Sequence, residues 1–356
     1  MAQPDIIAER LRALLPVSPD AYLQKLDVVR GVGLVIRFSA HAYRGASFLD
    51  DRILGPGTQG AWLPGDLLSE AGRSVAHPRP VHFVFHSGHV GSTLVSRLLD
   101  EGGSVLSLRE PLPLRTIADA HDTLGRQESL LGPDQFSALL AMALRLWSRG
   151  YEWTRAVVVK ATSSAARLGA PLLAASAESR GVCLNVAPQI YLATLLAGRN
   201  SPDDLRGHGP GRIHRLQARC SAPLAPLHSL SLGELAALSW VVETMTQRDL
   251  LRQFGDRLLA IDFDHFLEDA GGGMQRIATH FALPEAGDYP DRIAASGALQ
   301  RYSKAPDHQF SPADRAALLR DSREQNRAEI ARGLAWLERL ARTEPAVAAL
   351  FHEQAD

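Results

Sequence analysis

The chain has 356 residues, carries 38 Lys plus Arg against 39 Asp plus Glu for a formal net charge of −1, and is 46% hydrophobic. This composition is typical of a globular protein, and the length suits one large domain or two smaller ones. Because there is no surplus of cations to neutralise a phosphate backbone, the near-neutral balance argues against nucleic acid as a partner.

Two cysteines, Cys183 and Cys220, are too few for a disulfide framework, which favours a reducing compartment. The N-terminus has no basic start followed by an apolar run, so it is unlike a signal peptide. The longest apolar stretches, residues 138–147 and 186–198, are shorter than the ~20 residues that cross a bilayer. The sequence therefore predicts a cytoplasmic protein with no membrane span.

The first eighty residues differ in pattern from the rest of the chain. Residues 6–15 have the apolar spacing of an amphipathic helix, which should end at Pro16 because proline fixes φ and lacks an N–H. Residues 31–38 have strand character. The glycines and prolines over 55–66 predict a loop.

A change of pattern after a connector at residues 76–80 divides the chain into an N-terminal extension, 1–79, and a main domain, 80–356. In the main domain, short apolar or β-branched runs alternate with helical segments. Strands are predicted over 81–86, 105–108, 156–160, 182–186 and 257–263. Helices are predicted over 94–100, 134–148, 188–196, 232–253 and 311–341. Because strands separated by helices pair in parallel with crossovers on both faces, we predict a three-layer α/β fold, a parallel sheet flanked by helices.

The segment 81–100, VHFVFHSGHVGSTLVSRLLD, takes the chain from a strand through a glycine-containing turn into a helix. Glycines let a backbone turn sharply and approach a ligand, and a helix N-terminus presents amides without intrahelical partners and a partial positive charge. Ser92 could also simply cap the helix after a tight turn. The pattern favours an anion-binding cradle, whose candidate residues are Gly88, His89, Val90, Gly91, Ser92 and Thr93.

This loop lacks the features of an ATP site. A P-loop NTPase has the pattern G-x-x-x-x-G-K-[ST], whose lysine reaches the β- and γ-phosphates and whose hydroxyl holds Mg²⁺. Here the spacing is shorter, and Gly91 rather than a lysine precedes Ser92. A triphosphate with its metal would be poorly neutralised, whereas a nucleotide with one 5′-phosphate group would not. The pattern therefore disfavours kinases and ATPases.

The same segment, with Glu110-Pro111 after it, resembles the 5′-phosphosulfate loop of sulfotransferases that use 3′-phosphoadenosine 5′-phosphosulfate (PAPS). It is similar in particular to bacterial sulfotransferase-like proteins whose loop is GxxGSTLLSRLLD followed by Glu-Pro. Residues 22–54, 258–284 and 301–304 also resemble that family, in the same order. The resemblance implies a P-loop-type α/β fold that transfers a sulfuryl group from PAPS, as co-substrate, to a hydroxyl or amine of a small-molecule or peptide acceptor.

The resemblance also implies roles for particular residues. Glu110 matches the carboxylate that takes the acceptor proton, and Lys160, at the carboxyl end of a strand, matches a lysine that contacts the leaving oxygen or the sulfonate. Ser303 and Lys304 match a loop that closes over the sulfonate. Each has a plainer alternative: a solvated acid paired with a neighbouring arginine, a lysine that reaches solvent, and an ordinary polar loop.

The chain departs from this family in two places. His89, which has no fixed charge at neutral pH, stands where the family usually has Arg or Lys. The family's 3′-phosphate site is Arg-x-Pro with a serine six residues beyond the proline; here Val186 replaces the arginine, and Thr194 stands at the serine position. The loss of an arginine–phosphate contact should weaken binding. Arg212 and Arg215 are basic residues that could replace that arginine in space.

The histidines His82, His86 and His89 are spaced closely enough to suggest a metal site, but no carboxylate or cysteine lies beside them, so we predict no metal. The leading function is a PAPS-dependent sulfotransferase. The second is a non-catalytic nucleotide- or anion-binding relative with an altered 3′-phosphate site. The third is a small-molecule kinase with an irregular P-loop. The sequence carries no signature of the acceptor or of an oligomeric state.

Overall fold

A computed structural model describes residues 4–301, 303 and 311–352. The N-terminal part contains a three-stranded antiparallel sheet in the order β1-β2-β3, with three helices around it. Its elements are α1 (Pro4–Leu14), β1 (Ala21–Asp27), β2 (Val32–Arg37), α2 (Ala40–Gly45), β3 (Gly60–Pro64) and α3 (Gly65–Arg73), with a 3-10 turn at Asp51–Ile53.

The first helix and the strand within 31–38 are confirmed, but the loop predicted over 55–66 is wrong in its second half. Residues Gly60–Pro64 form β3, which pairs with β2 from Gly60 opposite Ile36 to Pro64 opposite Val32. A glycine begins this strand and a proline ends it, and both residues suggest a turn when judged locally. Pro64 is tolerated because β3 pairs on one side only, so a missing N–H costs the sheet little.

The main sheet has five parallel strands in the order β5-β6-β4-β7-β8. The strands are β4 (Val81–His86), β5 (Val105–Arg109), β6 (Ala156–Lys160), β7 (Gly181–Asn185) and β8 (Leu258–Asp262). The helices are α4 (Ser92–Glu101), α5 (Leu112–Thr123), α6 (Pro133–Trp147), α7 (Gly169–Ala174), α8 (Pro188–Leu196), α9 (Ser201–Gln217), α10 (Leu232–Phe254), α11 (Phe263–Glu268), α12 (Ala270–His280), α13 (Tyr289–Ser296), α14 (Pro312–Gln325), α15 (Arg327–Thr343) and α16 (Pro345–His352). Further 3-10 turns lie at Ser163–Leu168, Leu227–Ser229, Gly255–Arg257, Ala286–Asp288 and Ala298–Gln300.

Helices cover both faces of the parallel sheet, so the predicted three-layer α/β fold is confirmed. The alternation of side chains along a strand explains the two cores. On β4, Val84 packs into a core with α4, α8, α10 and α15, whereas Phe83 and Phe85 pack into a second core with α5, α6 and α7. All three side chains are fully buried. A strand that is buried on both faces has a continuous apolar sequence, and this is the pattern from which these strands were predicted.

The N-terminal part shares the second core, because residues of β1 and β2 belong to the same buried cluster as Phe83 and Phe85. Two buried arginines join it to the main sheet. Arg149 donates to the carbonyl oxygens of Leu15 (2.6 Å) and Ala21 (2.9 Å). Arg109, at the end of β5, donates to the carbonyl oxygens of Tyr43 and Ala46 and contacts the Asp100 carboxylate. The Arg109 bonds hold α2 and the residue after it against the carboxyl end of β5.

The single long helix predicted over 311–341 is two helices that meet at Asn326. The Asn326 backbone leaves the helical region, with φ −104° and ψ 17°. Its side-chain amide donates to Ser322 Oγ (3.1 Å), and the Ser322 hydroxyl donates to the Ala193 carbonyl of α8 (2.6 Å). Local side-chain bonds of Asn and Ser compete with helix continuation, so the chain bends around α8 at this point.

The strand order places a crevice at the carboxyl edge of the sheet. From β4 the chain goes to β5 on one side of the sheet, and from β7 it goes to β8 on the other. Neighbouring strands whose connections diverge in this way leave a gap between the following loops, where ligands of open α/β sheets bind. Within the described ranges, no helix has the length and apolar character needed to cross a membrane.

Candidate active site

The loop between β4 and α4 presents a helix N-terminus to this crevice. Gly91 is the N-cap residue, in a left-handed conformation (φ 73°), and no side chain caps the helix. The first helical bond runs from the Val95 N–H to the Gly91 carbonyl (3.1 Å). The amides of Ser92, Thr93 and Leu94 therefore have no acceptor within the helix. The alternative in which Ser92 caps the helix is wrong, and the amides that an anion would use are left for a ligand.

The loop needs glycine at Gly91 because an aromatic ring lies against it. A Cβ on Gly91 would stand 1.9 Å from Cζ of Phe263, the first residue of α11. Gly88 also has positive φ (101°), and so does His89 (55°). Several residues with positive φ close together turn the backbone sharply. For a residue with a side chain, such as His89, positive φ is strained, and such strain is typical of functional loops.

Behind the loop, side chains of the sheet and of α8 hold its backbone. The Gly88 N–H donates to His86 Nδ1 (3.1 Å), so in neutral His86 the ring proton is on Nε2. The Tyr191 hydroxyl donates to the Ser87 carbonyl (2.9 Å), and the Ser87 hydroxyl donates to Asn185 Oδ1 (2.8 Å). Burial raises the pKa of Tyr191 to about 12, so this phenol stays protonated and keeps its bond.

Glu110 and Lys160 form an ion pair at the carboxyl ends of adjacent strands. Lys160 Nζ contacts Glu110 Oε1, and the Glu110 N–H donates to the Lys160 carbonyl (2.8 Å). The Lys160 side chain is 1% exposed and that of Glu110 is 14% exposed. Glu110 has φ 53°, a conformation that a residue with a side chain seldom adopts. His86 Nε2 lies 4.0 Å from the same Glu110 oxygen. Neither plainer alternative holds, since Lys160 does not reach solvent and Glu110 pairs with this lysine.

One cavity of about 760 Å³ brings the predicted residues together. This volume lies within the ~300–1,000 Å³ that is typical of small-molecule sites. Its lining includes each predicted site residue that the structure describes: Gly88, His89, Val90, Gly91, Ser92, Thr93, Glu110, Lys160, Thr194 and Ser303. The Val90 side chain is buried in the first core, so Val90 can offer a ligand only its backbone.

Three of the predicted residues differ in what they can offer. The Thr194 hydroxyl donates to the Ile190 carbonyl of its own helix (2.8 Å), which leaves its oxygen as an acceptor. The Ser303 carbonyl accepts a hydrogen bond from Arg97 Nε (2.5 Å), and this bond ties the end of the 3-10 turn at Ala298–Gln300 to α4. Lys304 lies outside the described residues.

Arg212, on α9, supplies a buried cation to the cavity. Its side chain is 4% exposed, and its Nε and Nη1 atoms are buried without a hydrogen-bond partner among the described residues. Carboxylate oxygens of Glu243 and Asp204 lie at 3.9 Å and 4.0 Å, beyond hydrogen-bond distance. Glu243 instead accepts hydrogen bonds from Arg215 (2.7 and 3.4 Å). Of the two arginines considered from the sequence, Arg212 is the one that lines the cavity.

Sequence reasoning missed the side chains that approach from the N-terminal part and from α5. Phe48 and Arg52 reach the cavity because the Leu49 N–H donates to the Arg109 carbonyl (2.7 Å), beside Glu110. Arg115, in the first turns of α5, completes this wall. Arg115 had one local signal, its position shortly after Glu110. Phe48 and Arg52 lie in the segment 22–54 that resembles the sulfotransferase family, but nothing in the sequence placed them beside Glu110, because they are distant from it along the chain.

The three histidines do not gather around a common point. His82 stacks on Phe281 (ring centroids 4.8 Å apart), and its Nδ1 accepts the Arg180 N–H (3.2 Å). Burial, with help from the Arg180 charge, lowers the pKa of His82 to about 4. Over residues 4–301, 303 and 311–352, no group of three or more His, Cys, Asp or Glu side chains is arranged to hold a metal ion.

Fold and site together define an α/β protein with a glycine-rich strand-to-helix loop at the carboxyl edge of a parallel sheet. No protein-family model and no curated protein sequence matches the chain. The solved structures that are similar to it include two sulfotransferases. The sulfotransferase STF9 from Mycobacterium avium is 12% identical, with 90% of this chain and 95% of that one covered and a TM-score of 0.42. The sulfotransferase domain from the curacin biosynthetic pathway is 14% identical, with 66% and 84% covered and a TM-score of 0.36. Similarities at this level leave the reaction to be argued from the site.

Proposed function

We propose that this protein transfers a sulfuryl group from PAPS to a hydroxyl or amine of a small-molecule or peptide acceptor. One observation carries the proposal: the uncapped amides of α4 and the Lys160–Glu110 pair open into the same cavity. An anion-binding helix terminus beside a proton acceptor and a buried ammonium is what in-line transfer of an anionic group requires.

The donor's 5′-phosphosulfate fits the loop. The amides of Ser92, Thr93 and Leu94, with the two hydroxyls of this set, would hold its oxygens. The loop backbone from Gly88 to Gly91 would pass close to it, since glycines leave room there. With Gly91 in the place of the Walker lysine, the loop lacks the cation that contacts the β- and γ-phosphates of a triphosphate with Mg²⁺.

The donor's 3′-phosphate fits Arg212. This guanidinium is buried in the cavity wall, and two of its nitrogens have no hydrogen-bond partner among the described residues, since the Glu243 and Asp204 carboxylates stop at 3.9 and 4.0 Å. A phosphate at hydrogen-bond distance would satisfy them. Thr194, the residue that the family resemblance points to, keeps its hydroxyl proton within α8. We therefore assign the charge of this subsite to Arg212, which compensates for Val186 in the place of the family's arginine.

Glu110 and Lys160 would act in sequence on the transferring group. Glu110 takes the proton of the acceptor hydroxyl or amine as the new S–O or S–N bond forms and the S–O bond to the 5′-phosphate breaks. Once protonated, Glu110 no longer neutralises Lys160, whose charge then stabilises the leaving phosphate oxygen. Ser303, which also lines the cavity, would donate to the sulfonate. Loop amides, the helix dipole and Lys160 supply the positive field.

A non-catalytic nucleotide- or anion-binding protein is the second candidate. It is favoured by the same ion pair, because Lys160 and Glu110 in direct contact satisfy each other without a substrate. His89 also lacks the fixed charge that the sulfotransferase family usually has at this position. This candidate predicts binding of the nucleotide without turnover.

Calorimetry with the desulfated product, 3′-phosphoadenosine 5′-phosphate (PAP), tests the donor site. We expect wild-type protein to bind PAP and not ATP–Mg²⁺. Arg212→Gln should lower the affinity for PAP by at least about tenfold, because a charged hydrogen bond is lost. It should leave the affinity for AMP, which has no 3′-phosphate, unchanged. Arg206→Gln, on the exposed face of the same helix, is the matched control. Tight ATP–Mg²⁺ binding would favour the kinase instead.

Sulfate transfer from labelled PAPS to a panel of hydroxyl and amine acceptors tests the chemistry. We expect Glu110→Gln and Lys160→Met each to lower turnover by at least about a hundredfold, in the range of a lost general base or charge stabiliser. PAP binding by Glu110→Gln should persist, since the loop amides remain. Turnover retained by both variants would refute the assigned roles. A wild type that binds PAP but transfers nothing would favour the second candidate.

A further inference from the structure

The acceptor side of the cavity carries an unmatched positive charge. Beside Glu110 the cavity is lined by three cations, Lys160, Arg52 and Arg115. Asp204 of α9 also lines the cavity and, like Arg115, lies close to His208, but it forms no ion pair with Arg115 in the described part of the chain. Lys160 pairs with Glu110, and Arg52 pairs with Asp50 through two hydrogen bonds, at 2.8 and 2.5 Å. The remaining charge is that of Arg115.

Arg115 lies in the cavity wall, and no described residue forms a hydrogen bond or an ion pair with it. Its Nε is buried and has no hydrogen-bond acceptor, and its guanidinium forms no ion pair with any residue in the described part of the chain. It lies near enough to Asp50 to lower the pKa of that carboxyl, together with Arg52. A half-buried guanidinium without an anion is costly, which points to a ligand that supplies one.

Phe48 connects this charge to the reacting centre. Lys160 Nζ lies 5.1 Å from the centroid of the Phe48 ring, and the Arg52 guanidinium lies 3.7 Å from it. The wall therefore runs from the Lys160–Glu110 pair, across the apolar side chain of Phe48 and the Arg52–Asp50 pair, toward Arg115. A molecule whose hydroxyl meets Glu110 would rest its apolar body on Phe48 and place its far end toward Arg115.

We propose that the acceptor is a hydroxyl compound with an apolar body and a carboxylate, which Arg115 binds. The inference rests on the proposed function and adds the acceptor class to it. An amine at the far end would meet the positive charge of Arg115 and be rejected, whereas a carboxylate would form the bidentate pair for which guanidinium is suited. Arg115 is thus a specificity-determining residue that takes no part in the transfer step.

Three matched probes test this with PAP-saturated protein: para-hydroxyphenylacetate, its neutral amide, and tyramine. Calorimetry should show the carboxylate binding at least about tenfold tighter than the amide, and the amine binding more weakly than either. Arg115→Gln should bring the carboxylate and the amide to equal affinity, and Arg115→Lys should keep part of the preference. Arg126→Gln, an exposed arginine outside the cavity, should keep all of it. Phe48→Ala should weaken all three probes alike.

Two results separate this inference from the donor assignment. If Arg115→Gln lowers PAP affinity as Arg212→Gln does, Arg115 serves the donor and the inference is wrong. If wild type binds carboxylate and amide equally, or binds neither at millimolar concentration, the inference is also wrong. Wild type that fails to bind PAP refutes the proposed function instead, and the carboxylate preference is then measured on the ligand-free protein. Because Arg115 makes no hydrogen bond with the residues that the structure describes, its variants should unfold at the wild-type temperature.

Discussion

Replacement of Gly91 by alanine tests whether the loop geometry is enforced by Phe263. The new Cβ would stand 1.9–2.4 Å from three atoms of the Phe263 ring, closer than any real contact. The ring cannot easily yield, because Phe263 is 5% exposed and stacks on Phe266. A left-handed alanine costs about 1–2 kcal/mol, and overpacking costs about 1–3 kcal/mol. We expect the free energy of unfolding to fall by about 2–5 kcal/mol in total.

A double-mutant cycle measured by urea unfolding separates the two contributions. In a Phe263→Ala background the clash is gone, so the cost of Gly91→Ala should fall to about 1–2 kcal/mol, the backbone part alone. Gly207→Ala on α9 is the matched control, because a Cβ there would meet nothing within 4 Å. That change should stabilise the helix slightly. Equal costs of Gly91→Ala in both backgrounds would refute the role given to the ring.

Two further predictions concern stability. The pKa of His82 is lowered from 6.5 to about 4. Between these pH values His82 is protonated in the unfolded state but not in the folded state. The free energy of unfolding should therefore fall by up to about 3 kcal/mol as the pH drops through this window. Urea unfolding of His82→Gln, which keeps an acceptor for the Arg180 N–H, should show a shallower loss, and identical pH profiles would contradict the pKa argument. Arg149→Met should lower the free energy of unfolding by about 3–5 kcal/mol, because buried carbonyls lose their charged donor. Limited proteolysis should then cut within the first 80 residues, with exposed Arg145→Gln as control, and unchanged resistance would show that Arg149 does not hold this part.

Local patterns predicted the parallel sheet well. The β-branched run Ala156–Lys160 and the apolar run Val81–His86 are strands with the predicted ends, and the helix Pro188–Leu196 begins at the predicted residue. These segments succeed because burial on both faces imposes an apolar composition that is visible without the fold. The strand-to-helix loop was predicted correctly for a similar reason, because the positive φ of its turn requires glycines that are visible in the sequence.

Other features depend on contacts that no local pattern records. The segment of Arg212, GHGPGRIH, has the composition of a loop, yet residues Ser201–Gln217 form a helix that contains Pro210. Gly209 packs there against Leu227, and Arg212 faces the cavity. β1 was not predicted because its alternation is interrupted by Gln24, which is fully buried and donates to Asp51 (3.2 Å). In both cases tertiary packing overrides propensity.

The reach of Arg149 also bears on the order in which the protein can fold during synthesis. Its carbonyl partners Leu15, Ser18 and Ala21 precede it by 134, 131 and 128 residues. At a ribosomal rate of about 5–20 residues per second, Arg149 is synthesised on the order of ten seconds after these three residues. A small antiparallel sheet has little stability before its apolar face is covered. The antiparallel sheet is therefore made well before the arginine that joins it to the main domain, and it should reach its final packing late.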